Sequence, residues 1–123
     1  MKYRYFYADY SEGKEIPSGD AWEANLDQIL HSMNCVLHVP NNFFGIVNSK
    51  EQTLQFMVEK DRTVTIDIPI LEQGKYLGSK QENNSLNYCL EMVKNLSPDE
   101  DFLRLVNSSL VNVEPPKPWW RFW

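Results

Sequence analysis

Leu54, Phe56 and Val58 alternate with Gln55, Met57 and Glu59, and Val64, Ile66 and Ile68 alternate with Thr65, Asp67 and Pro69. A period of two places each apolar set on one face of a strand, so both segments predict strands half buried against a core. The short charged link Lys60-Asp61-Arg62 makes them antiparallel neighbours. Upstream, Lys2 to Ala8 is rich in tyrosine and phenylalanine and predicts a first strand. Cys35 to Val39 and Phe43 to Val47 predict two more, separated by the turn Pro40-Asn41-Asn42.

The period changes elsewhere. Trp22, Leu26, Ile29, Leu30 and Met33 recur at three and four and predict a helix capped by Asp20, with Glu23 and Asp27 on its solvated side. Leu86, Cys89, Leu90, Val93 and Leu96 predict a second helix starting near Asn84 or Ser85. Ser97-Pro98-Asp99-Glu100 has the form of a capping box and predicts a short helix carrying Phe102, Leu103 and Val106. Between them, residues 69–84 are polar, contain Gly74 and Gly78, and read as a long loop. The expected fold is α+β, an antiparallel sheet of about five strands with two to three helices packed on one face. One domain spans 1–113, followed by a Pro/Trp-rich tail at 114–123.

The tail changes the picture. Pro115, Pro116 and Pro118 keep it extended, so Trp119, Trp120, Phe122 and Trp123 need a surface to lie on, either a groove of their own domain or a partner. The net charge of −5, from 17 acidic and 12 basic residues, disfavours nucleic acid and favours a basic protein partner. No apolar run approaches the ~20 residues that cross a bilayer. The amino terminus lacks a secretion signal pattern, so neither a membrane nor export is expected and the cytoplasm is the expected compartment.

Candidate chemistry is sparse. His31 and His38 bracket Cys35, but with the first helix ending between His31 and Cys35 the three share no face, and no metal or other cofactor is expected. Cys35 and Cys89 sit among apolar residues and read as buried free thiols. Asp67 falls on the polar face of its strand and reads as solvent-exposed. Phosphate-cradling glycine loops, zinc-binding histidine pairs and a serine nucleophile elbow are absent from the sequence, which points to binding rather than catalysis.

Three segments together resemble immunity protein family 1 of bacterial polymorphic toxin and contact-dependent inhibition systems. They are Leu54-Gln55-Phe56, Val64-Thr65-Ile66-Asp67-Ile68-Pro69, and Gly74-Lys75-Tyr76-Leu77-Gly78 before the helix near Ser85. The resemblance covers residues 44–96 and does not extend to the Trp-rich tail. It implies a protein that binds a cognate toxin, a nuclease being one case, and occludes its active site or substrate access. For a toxin partner, the candidate contacts are Glu72, Lys75, Tyr76 and Glu82 from the long loop, with Trp119, Trp120 and Trp123 from the tail as anchors. The competing expectations are a small enzyme or ligand-binding domain with a pocket between sheet and helices lined by Tyr5, Tyr7 and Phe44, and an adaptor that docks through its tail. The sequence leaves the oligomeric state open.

Overall fold

The computed structural model describes residues 2–97 and 99–106. The fold is α+β: among the described residues, a seven-stranded antiparallel sheet with two α-helices, two strands more than the sequence pattern predicts. β1 (Lys2–Asp9) is followed by β2 (Lys14–Ile16) and β3 (Trp22–Asn25). β2 pairs with Tyr7–Asp9 and β3 with Lys2–Tyr5, so the two lie end to end along one edge of β1 while β4 (Phe43–Val47) takes the other. α1 (Leu26–Val36) carries the chain from β3 across β1 to β4. β5 (Thr53–Val58), β6 (Val64–Glu72) and β7 (Lys75–Asn84) then continue as a meander, and α2 (Leu86–Lys94) follows.

The alternation does what it predicts. Leu54, Phe56, Val58, Val64, Ile66 and Ile68 join Phe44 and Ile46 in one core, closed by Ile29 and Met33 of α1 and by Cys89 and Val93 of α2. α2 starts where its Ser85 side chain accepts a hydrogen bond from the Tyr88 amide, at 3.1 Å. Among the described residues after α2, the expected short helix is a 3-10 turn at Phe102–Arg104, and its Phe102 is fully buried in the same core.

Three expectations fail for identifiable reasons. Trp22 to Asn25 is a strand, not the start of a helix, because its backbone pairs with β1; the helix begins at Leu26 on a capping box formed by Asn25 and Gln28. The same helix runs on to Val36, so Cys35 and Val36 are helical and no strand spans Cys35 to Val39. Residues 69–84 are not a loop. Gln73 and Gly74 both have positive φ, the geometry of a two-residue hairpin turn, and they join β6 to β7 with Glu72 opposite Lys75. β7 escapes a pattern search because polar residues occupy both its faces, leaving backbone pairing with β6 as its main support. The proposed boundary at residue 113 and the tail beyond it lie outside the described residues.

Candidate functional site

The candidate toxin contacts among the described residues do not form one patch. Glu72 and Lys75 are exposed at the β6–β7 turn, whereas Glu82 is seven residues farther along β7, roughly 23 Å away, beside α2. There Glu82 accepts a hydrogen bond from the Tyr88 hydroxyl. A register shift at Ile70/Leu71 lets Tyr76 reach Ser79, hydroxyl to hydroxyl at 2.7 Å, on the sheet face opposite α1 and α2. Trp119, Trp120 and Trp123 lie outside the described residues.

The site the fold does assemble is an open cleft of about 950 Å³ between α1 and the β1–β2 hairpin. Its floor is Tyr5 and Tyr7, two positions apart on β1 and therefore on one face, with rings nearly parallel (3°) and centroids 6.3 Å apart. Phe44, which the pocket expectation also named, is fully buried and does not line the cleft. It stacks against both tyrosines instead, at 5.6 and 6.2 Å, and fixes their height. α1 contributes Asp27, His31 and Cys35 to one wall; the hairpin contributes Asp9, Glu12 and Lys14 to the other.

The walls are held together by Asn42, which is fully buried. Its side-chain amide donates to Asp9 Oδ1 and to the Val36 carbonyl, both at 2.9 Å, while its oxygen accepts from the Tyr10 amide. One side chain thus ties the end of α1 to the turn after β1. Burial alone would raise the Asp9 pKa, but hydrogen bonds from Ser11, Asn42 and the Glu12 amide outweigh it and hold the carboxyl below its ordinary range. Asp9 is therefore an ionised anchor, and Glu12 and Asp27 are the exposed carboxylates of the cleft.

His31 and Cys35 stand one turn apart on α1, with Sγ 3.9 Å from Nε2, which corrects the expectation that they share no face. Cys35 is also exposed, not buried, because the longer helix turns it outward. Among the described residues no group of three or more histidine, cysteine, aspartate or glutamate side chains is placed to hold a metal ion. Cys89 is buried, and desolvation with the nearby Glu82 pushes its thiol up to about 12.

A second polar feature lies on the opposite face of the sheet. Phe6, Gly45, Gln55, Asp67 and Gln81 stand in one row across five strands. Asp67 accepts from Gln55 Nε2 at 2.9 Å and from Gln81 Nε2 at 2.7 Å. Contrary to the sequence expectation it is buried, 2% exposed, and burial raises its pKa above 3.8 despite these bonds and one from Ser79. A raised carboxyl pKa makes the Asp67 contribution to stability fully present below pH ~4 and lost as pH rises through the folded-state value. Asp67→Asn removes that loss. The difference in Tm between variant and parent is expected to move in favour of the variant from pH 4 to pH 8; a difference that stays constant with pH would show that Asp67 titrates alike folded and unfolded.

Among the described residues no helix is long and apolar enough to cross a membrane. No family model matches the chain, and no curated protein or solved structure matches it either.

Proposed function

We propose that the chain is a protein-binding domain that takes a basic segment of its partner into the cleft between α1 and the β1–β2 hairpin. The cleft carries this reading. Two tyrosine rings form its floor, and Glu12 and Asp27 rise on opposite walls. A lysine or arginine side chain laid over tyrosine gains about 0.5–1 kcal/mol where exposed and more where water is excluded. Carboxylates on both sides add a charge-assisted hydrogen bond. The net charge of −5 supports the same partner, since it speeds encounter with a cationic surface.

The partner is a bacterial toxin with a basic surface, neutralised in the cytoplasm by occupation of its active site or substrate path. This part of the proposal comes from the resemblance carried by β5, β6 and the β6–β7 hairpin, and the acidic cleft is compatible with it. Expression with the polypeptide encoded next to this chain tests it: growth rescue together with a stoichiometric complex is the expected result. A harmless neighbour that forms no complex would remove the toxin from the proposal.

The cleft itself is tested by Asp27→Lys. Asp27 is exposed on α1, so the substitution leaves the fold intact, and it is expected to weaken the complex by about tenfold and to reduce its salt dependence. Unchanged affinity and salt dependence would place the interface elsewhere. A small cationic ligand is the second reading, favoured by the cleft volume of about 950 Å³, which is at the upper end of the ~300–1,000 Å³ usual for ligand pockets.

A further inference from the structure

Two metal-binding side chains share the exposed stripe of α1. Cysteine is among the residue types most often buried, yet Cys35 is exposed, while the other thiol, Cys89, lies in the core. One helical turn separates Cys35 from His31, and Sγ and Nε2 are 3.9 Å apart. Zn–S and Zn–N bonds of about 2.3 and 2.0 Å at a tetrahedral angle put two such donors about 3.5 Å from each other. A small rotation about the side-chain bonds closes the difference. A neutral imidazole with its proton on Nδ1 offers the Nε2 lone pair, and a thiolate is the soft donor that selects zinc over magnesium or calcium.

The surroundings favour a cation. Both side chains line the open cleft of about 950 Å³, so an ion reaches them from solvent and keeps room for further donors. The described lining carries three carboxylates, Asp9, Glu12 and Asp27, against one lysine, Lys14. Asp27 stands one turn before His31 on the same stripe of α1. Cys35 is next to last in α1, where the helix dipole is negative, and no basic side chain occupies that last turn. The turn is also fixed in place, because the Val36 carbonyl accepts from the Asn42 amide that holds Asp9. Among the described residues no third side chain stands with the pair. The remaining positions on an ion therefore open into the cleft, for water or for a donor on a bound partner.

We propose that His31 and Cys35 form a two-ligand Zn(II) site on the α1 wall of the cleft, Cys35 Sγ giving up its proton to solvent as the Zn–S bond forms. The site needs neither a toxin nor a basic partner, so it stands or falls apart from the proposed function. Its competitors are few: the sequence holds only His38 and Cys89 besides this pair. His38 follows α1 and does not line the cleft, and Cys89 is buried.

Cobalt(II) is the probe, because a cobalt–thiolate bond absorbs in the near ultraviolet where the aqueous ion does not. Titration of the full chain, kept reduced by a phosphine, is expected to saturate that band at one ion per chain, and zinc added afterwards removes it. Cys35→Ser abolishes the band. His31→Gln weakens binding by at least about tenfold, the lower end of what changes even around a metal ligand cost. Both positions are exposed, so far-UV dichroism stays unchanged in the variants. A parent chain without the band overturns the proposal. So does a band that survives Cys35→Ser, which would move the ion to Cys89, and one that His31→Gln leaves unchanged, which would reduce the site to a single thiol. Saturation at one ion per two chains also overturns it, and makes the metal a bridge between copies.

Discussion

Phe102→Ala is expected to lower the free energy of unfolding by about 3–5 kcal/mol, a fifth or more of the ~5–15 kcal/mol that a native domain usually has. The side chain is 0% exposed and belongs to the main core, although it comes from a three-residue 3-10 turn with little stability of its own. That turn is held in place by polar clamps. Gln52 Nε2 donates to Asp101 Oδ1 at 2.8 Å, Asn48 donates to the Glu100 carbonyl at 3.1 Å, and Asp101 Oδ1 accepts from the Leu103 amide. These bonds align the turn but leave no side chain free to fill the volume that alanine vacates. Denaturant titration should therefore show a lower midpoint with an unchanged slope. Leu103→Ala, at a half-buried position in the same turn, should cost much less. A loss under 1 kcal/mol for Phe102→Ala would mean that the turn is not part of the cooperative core.

The core was legible because strand alternation and helical periodicity are local signals. Leu54, Phe56, Val64 and Ile66 are each 0% exposed, as their period requires. Edges and polar strands were not legible. Lys14–Ile16 is too short to show a period, Trp22 mimics the first apolar position of α1, and β7 has Lys80 and Glu82 where an amphipathic strand would carry apolar residues. The cleft was half legible: Tyr5 and Tyr7 follow from the pattern of β1, whereas Glu12 and Asp27 reach its rim only through the β1–β2 hairpin and the crossover by α1. Asp67 shows the same limit from the other side. Its position on a polar face was readable, but its burial between Gln55 and Gln81 depends on a cross-strand register that no local pattern encodes.

Gly45→Ala is expected to destabilise by about 3 kcal/mol, the upper part of the range for overpacking. Gly45 stands opposite Phe6, and a Cβ there would lie closer than 3.0 Å to three atoms of the Phe6 ring. The ring has no free space to swing into, being 1% exposed and packed with Ala8, Ile16 and Phe43. Alanine's lower backbone entropy in the unfolded chain returns only about 0.5–1 kcal/mol. A smaller side chain at position 6 should relieve the clash, so Phe6→Leu in the Gly45→Ala background should cost less than the sum of the two single changes, a coupling read from a double-mutant cycle. Additivity would show that strain reaches β4 by another path. The consequence extends to the cleft, because Phe6 alternates on β1 with Tyr5 and Tyr7 and a displacement of the strand away from Gly45 moves the tyrosine floor with it. Gly45→Ala is thus expected to weaken capture of a basic partner although it touches no residue of the cleft, and the Phe6→Leu double variant should recover binding along with stability.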